Sequence, residues 1–375
     1  MRRASGGEIP WGWSGEWMHL PRWLRPSLAV PRYQTSLDRC ASIARRLASM
    51  AGLACVLGTS LMAGALDTNA VRAAATAARS VHLDAAARIA AAESFIDLVR
   101  IPGGSGSEHA IRAACQQRLS ELGARGVSLE GPWTNAPVNL AMRIDGVGDL
   151  ARHPALLLNA HLDTLVISTP EHLSFDAATG DFFHAKESEA GFPSSFGGDD
   201  RSGVCVVLEA LRQVHRSTWT QGRPHPPVLV LLTGSEEIGL RGAKHLARHH
   251  PGVFEGVGLS ITVDGPLDYE TAYPKERLVA VVSEADAGRQ PYSGVLGILA
   301  SHASKAGVGW SRSEVGLGKG DFAAFPSTAP AGLHFRSPVR GWHRRERVQV
   351  QDLVHHVDLL VDVIAQWHRA VERGK

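Results

Sequence analysis

Five short stretches between His161 and His343 carry the residue types that hold metal ions. They are His161-Leu162-Asp163, Gly197-Gly198-Asp199-Asp200, Ser235-Glu236-Glu237, Val263-Asp264-Gly265 and Trp342-His343. Together they can furnish ligands for two zinc ions, or for cobalt or manganese, with room left for a water to be activated. In His161-Leu162-Asp163 the two-residue period of an extended chain sends both polar groups to one side, so the imidazole can ligate while the carboxylate orients it. A surface pair has the same spelling. Gly197 and Gly198 permit a tight turn before a helix, where an aspartate is electrostatically favoured. There Asp199 or Asp200 is no more than a helix cap, or Asp199 is an anion shared between two cations. Glu236 and Glu237 repel each other unless a cation lies beside them. With one present, Glu237 is a ligand and Glu236 a general base for water; without one, they are two solvated acids opening a helix. Asp264 closes another apolar run in the same fashion.

The elements that must position these residues are legible around them. Asn139 to Ile144, Ala155 to Ala160, Val228 to Leu232 and Leu259 to Val263 read as strands, the first two joined through a Gly-rich turn. Helical periodicity covers residues 83–100, a segment opening at Ser105 to Glu108 and running through Leu122, Val204 to Val214, Leu240 to His249 and Val350 to Val371. Ser168 to Ser195 reads as a polar loop. Alternating strands and helices predict a three-layer α/β/α sandwich around a mostly parallel mixed sheet. The first, third and fourth candidate stretches then fall at carboxyl ends of strands, where such sheets present functional groups.

At 375 residues with 44% hydrophobic and 20% charged residues, the chain has the composition of a globular protein with a large core. Its net charge of +2 is uneven. Residues 1–65 hold eight arginines and three acids, and the remainder is slightly acidic, which argues against nucleic acid as a partner. The four cysteines, Cys40, Cys55, Cys115 and Cys205, have neither metal-ligand spacing nor a disulfide framework. Residues 1–80 read as an N-terminal extension, unstructured or a single helix. Within it, Arg45-Arg46, the uncharged run Leu47 to Met62 and Ala63-Gly64-Ala65 have the layout of an export signal, with a cytoplasmic enzyme as the alternative. The run is too weakly apolar for a stable membrane span. Residues 81–375 are expected to form one catalytic domain.

Longer stretches of the chain resemble the zinc exopeptidases of the peptidase T and carboxypeptidase G group. They are Asn159-Ala160-His161-Leu162-Asp163-Thr164, Gly198-Asp199-Asp200-Arg201-Ser202-Gly203, residues 233–244, Val263-Asp264-Gly265 and the run from Trp342 to Val348. Related aminopeptidase families of the same superfamily share this ligand set. The resemblance implies one zinc at His161 and Asp264, a second at Glu237 and His343, and Asp199 bridging them. It further implies Glu236 as general base, Asp163 as support for His161, and Asp321 as a structural residue. The implied substrate is a small peptide, or an N-acyl amino acid if the chain is an amidohydrolase; a binding module on the same fold is the non-catalytic alternative.

Two departures stand out. Arg201 replaces the usual lysine, keeping the charge. Only 78 residues separate Asp264 from His343, too few for the lid domain that the resembling group inserts there. One helix, Ser293 to Ala306, and a Gly-rich loop, Gly316 to Phe325, are expected instead. Without a lid, His334, Arg336 and Arg340 are candidates for binding a substrate carboxylate.

Overall fold

Apolar runs such as Val228-Leu229-Val230-Leu231-Leu232 are too short for a helix and carry no polar face, so they are stable only as strands covered on both sides. The computed structural model describes residues 66–129, 136–165, 168–187, 195–268, 276–314, 320–325, 332–341, 343 and 345–372. All of these lie in one compact unit, Met62–Lys375. The strands are β1 (Arg125–Gly126), β2 (Leu140–Ile144), β3 (Ala155–His161), β4 (Leu173–Asp176), β5 (Asp181–His184), β6 (Val228–Thr233), β7 (Val257–Asp268), β8 (Glu276–Val281), β9 (Gly309–Ser313), β10 (Gly332–Arg340) and β11 (Arg347–Gln349). The helices are α1 (Thr68–Ala77), α2 (Ala85–Arg100), α3 (His109–Glu121), α4 (Gly198–Ser217), α5 (Arg241–His249), α6 (Glu284–Ala287), α7 (Tyr292–Ala306) and α8 (Val350–Glu372).

One mixed sheet runs in the order β1-β2-β6-β3-β7-β10-β11-β5-β4, with β8 joining β10 to β9. Its core, β6-β3-β7-β10, is parallel, and antiparallel strands extend it at both sides. Side-chain alternation divides the core between the two faces. Leu156 and Leu158 of β3, with Val228 and Val230 of β6, join the large cluster that includes α2, α4 and α8. Leu157, Leu229 and Leu231 face the other way, toward Leu246 of α5 and Phe254. This is the expected three-layer sandwich.

The strand order adds one detail to the sequence reading, and two others differ from it. Strands β2 and β3 are not neighbours, because β6 inserts between them and pairs antiparallel with β2 and parallel with β3. The stretch read as a polar loop from Ser168 contains the β4–β5 hairpin, with Phe182 buried and β5 paired to β11. Between Asp264 and His343 the chain supplies β8, β9 and β10 to the sheet, besides the expected helix α7. Helix α1 lies inside the stretch read as an extension; Asp67 caps it and Val71 and Ala75 are buried. No helix among the described residues is long and apolar enough to cross a membrane. The export-like segment, residues 45–65, lies outside the described residues.

Candidate metal centre

Strand register, the turns that follow the strands and the start of α4 gather the candidate residues beside the central strands. His161, the last residue of β3, stands opposite Thr233 at the end of β6, so the turn that follows β6 brings Glu236 and Glu237 beside it. Asp264 of β7 pairs with Arg336 of β10, and His343 is the third residue beyond the end of β10. Asp199 enters from the start of α4, where Asp199 and Asp200 have non-helical backbone angles. Gly197 precedes them at φ 87°, a conformation glycine adopts without a side-chain clash.

Asp199 lies between the two histidines. Its Oδ1 is 3.4 Å from His161 Nε2, and its Oδ2 is 3.4 Å from His343 Nε2. His161 Nε2 is also 3.4 Å from Asp264 Oδ1, and His343 Nε2 is 3.1 Å from Glu237 Oε1. The candidate ligand residues thus converge on two neighbouring points that share one carboxylate. Asp200 also has an oxygen near His161 and Asp264. Its carboxylate already accepts from two backbone N–H groups, His161 at 3.2 Å and Gly203 at 3.0 Å. The capping role that the sequence allowed to either aspartate therefore falls to Asp200.

His161 Nδ1 is 2.9 Å from the Asp163 carbonyl oxygen and 3.5 Å from its carboxylate. Donation from Nδ1 to that carbonyl leaves Nε2 as the free lone pair, the tautomer a ligand requires. The Asp163 carboxylate instead accepts from Glu236 N at 2.9 Å, Glu237 N at 3.2 Å and Ser105 Oγ at 2.7 Å. Ser235, at φ 59°, and His343, at φ 56°, hold left-handed backbone angles that cost non-glycine residues about 1–2 kcal/mol. Such strain concentrates where side chains must be aimed.

The donor set fits divalent cations. Asp199 Oδ1 and Glu237 Oε1 are buried without a hydrogen-bond partner, a costly state for a carboxylate unless a cation faces it. Burial lowers the basicity of His161, yet contacts with Asp163, Asp199 and Asp264 carry it well above the ordinary imidazole range. His343, pulled down by burial, is raised to about 10 by Asp199 and Glu237. Asp199 is pushed up by burial but held below the usual carboxylate range by both histidines. Glu236 rises to about 9, chiefly through burial, with Asp264, Asp321 and Glu237 adding to it. The cluster is short of positive charge. Divalent ions would displace the imidazole protons and draw Glu236 back toward the ordinary range.

A family model described as peptidase family M28 matches residues 139–355, more than half of the chain and all seven candidate residues. The chain belongs to peptidase family M28. As an M28 peptidase it hydrolyses peptide bonds and falls within the zinc exopeptidase superfamily that the motifs resembled. Its fold is similar to that of aminopeptidase PepT from Bacillus cereus, at 14% identity over 74% of this chain and 98% of that one, with a TM-score of 0.54. LapA aminopeptidase of Legionella pneumophila is similar at 16% identity over 80% and 73% of the two chains, with a TM-score of 0.52. The TET aminopeptidase of the marine sediment archaeon Thaumarchaeota archaeon SCGC AB-539-E09 gives 15%, 76%, 99% and 0.50. At these identities the likeness is one of fold. No curated protein matches the chain significantly.

Two supporting residues of this M28 peptidase, Glu108 and Glu346, were not assigned from sequence. Glu108 accepts from Ser235 N at 2.9 Å and Gly106 N at 2.7 Å, fixing the turn before Glu236. Glu346 accepts from three successive backbone N–H groups, Phe196, Gly197 and Gly198, at 2.9–3.1 Å, and so holds the approach to Asp199. Buried Arg201 ties Leu162 O and Ile101 O together beneath the site. Asp321 is buried and accepts from Thr233 Oγ1, in keeping with a structural role. Of the arginines considered for a substrate carboxylate, Arg340 is buried and bonded to Asp352 of α8, so it is removed from that role. His334 is also engaged, through Nε2 on the Asp264 carbonyl at 2.5 Å.

Proposed function

We propose that this M28 peptidase is an aminopeptidase that removes single residues from the amino end of short peptides, using two divalent ions, zinc by preference. In this reading His161 and Asp264 hold one ion, Glu237 and His343 the other, and Asp199 both. Bound there, the ions supply Lewis acidity to the scissile carbonyl and the attacking water. Glu236 takes a proton from that water and delivers it to the leaving amine. Asp163 contributes twice: its carbonyl fixes the His161 tautomer, and its carboxylate fixes the main chain of Glu236 and Glu237. The observation carrying the reading is the placement of the two Asp199 oxygens, each 3.4 Å from a different histidine.

The catalytic body is read as one domain without an inserted lid. Supporting this, the described parts of 164–198 and 265–342 contribute strands to the central sheet. Export is part of the proposal, resting on Arg45-Arg46, Leu47 to Met62 and Ala63-Gly64-Ala65. Expression with the leader should yield protein outside the cytoplasm whose amino terminus follows Ala65; intact protein confined to the cytoplasm would refute export.

Glu236→Gln tests the catalytic reading. The variant should retain two metals per chain by elemental analysis and lose roughly 10²- to 10⁴-fold in kcat on aminoacyl-nitroanilides. Undiminished turnover in the variant, or wild-type protein that takes up no metal, overturns the reading. Preferential hydrolysis of N-acyl amino acids would reassign the substrate.

A further inference from the structure

We propose that His82, His302 and Asp362 form a further metal site, separate from the peptidase centre, that takes a zinc-like divalent cation. His82 lies in the turn between α1 and α2, His302 on α7 and Asp362 on α8. Asp362 Oδ2 is 3.0 Å from His82 Nε2 and 2.8 Å from His302 Nδ1, and its Oδ1 accepts from Gln366 Nε2 at 2.9 Å. The three donor atoms lie within 4.8 Å of one another. One ion with bonds of about 2.0–2.2 Å can reach all three after the donors open by a few tenths of an ångström. Two imidazoles and a carboxylate select zinc, cobalt or nickel over magnesium or calcium.

The surroundings favour an ion over a plain hydrogen-bonded cluster. Asp358, one helical turn before Asp362, anchors the α1–α2 turn by accepting from Ser80 Oγ at 2.9 Å, Val81 N at 2.5 Å and His82 N at 3.0 Å. That anchoring presents the His82 ring to Asp362. Neither aspartate is salt-bridged to a lysine or arginine among the described residues. With neutral histidines the site carries two negative charges, which one divalent cation balances. His302 is fully buried, and its Nε2 has no hydrogen-bond partner. If Nδ1 ligates, the ring proton resides on Nε2, which faces Asp358 Oδ2 at 4.0 Å. A carboxylate behind a ligating histidine is the usual means of orienting it. His82 is about one-third exposed at 37%, leaving a side open for water to complete the coordination. The ion would pin the α1–α2 turn to α7 and α8.

The test compares metal content in the full chain after zinc loading and dialysis, for wild type, His82→Gln and Asp362→Asn. Each variant should hold one equivalent of zinc less than wild type while turning over aminoacyl-nitroanilides at the wild-type rate. Zinc should raise the Tm of the wild type more than that of His82→Gln, whose partly exposed position tolerates the change. Equal metal counts in all three proteins, with equal zinc-dependent Tm shifts, would overturn the site. Because the readout is a difference between wild type and variant, it stands whatever the peptidase centre holds. The Glu236→Gln experiment tests that centre separately.

Discussion

Asp163 shows how much one buried carboxylate can organise. It is fully buried, yet its pKa falls below the ordinary aspartate value: burial pushes it up, and His161, Ser105 and the Glu236 N–H together pull it further down. An asparagine there would keep the shape but turn an NH₂ group toward backbone N–H donors at Glu236 or Glu237, setting donor against donor. Asp163→Asn should therefore displace the proposed base while the proposed ligand atoms of His161 and Asp199 remain. We expect kcat/KM to fall roughly 10- to 100-fold with metal content largely retained. Wild-type kinetics in the variant would show that the carboxylate does not position the base. A loss confined to metal content would place its role at His161 instead.

At the scale of elements, the start of α4 is fitted against β7 with no space to spare. A Cβ on Gly203 would lie 2.3 Å from Asp200 Oδ1 and 2.5 Å from the Val263 carbonyl oxygen, and the second of these is backbone that cannot swing aside. Gly203→Ala should push α4 off the sheet, cost about 1–3 kcal/mol in urea unfolding and weaken metal retention, because Asp199 moves with the helix. Unchanged stability together with unchanged metal content would show that the contact is slack. Much of this layer was legible in the sequence. Strands β3 and β6 are apolar on both faces and end at polar residues, so both the core and the strand ends that gather the candidate residues could be read directly. Helix α8 was readable from its periodicity. The β4–β5 hairpin was not: β4 buries only Leu173 fully, and β5 is held by pairing with β11, more than 160 residues away. The supporting carboxylates were hidden for the same reason. Glu108 meets Ser235 across 127 residues and Glu346 meets Gly198 across 148, distances over which local spacing carries no signal.

Across the whole molecule, acid should unfold the protein partly through α8. His355 is held at about 3, by burial first and then by His356, Arg277 and His302 nearby. His356 is lowered too, again mainly by burial. Both rings are therefore neutral in the folded protein near neutral pH, whereas the unfolded chain takes up their protons near pH 6.5. Between those values the unfolded state binds more protons, so stability is fully present above about pH 6.5 and drains away as pH falls toward 3. For His355 the slope is about 1.4 kcal/mol per pH unit, on the order of 5 kcal/mol over the window. Acid also strips ions from histidine ligands, which adds a second pH-dependent loss common to any variant that keeps the metal sites. His355→Gln separates the two. Urea unfolding of zinc-loaded protein from pH 7 to pH 4 should show the variant losing stability less steeply than wild type, by about 1.4 kcal/mol per pH unit. Parallel pH profiles would mean that His355 takes up its proton without opening the fold, and would assign the acid sensitivity to the metal ligands instead.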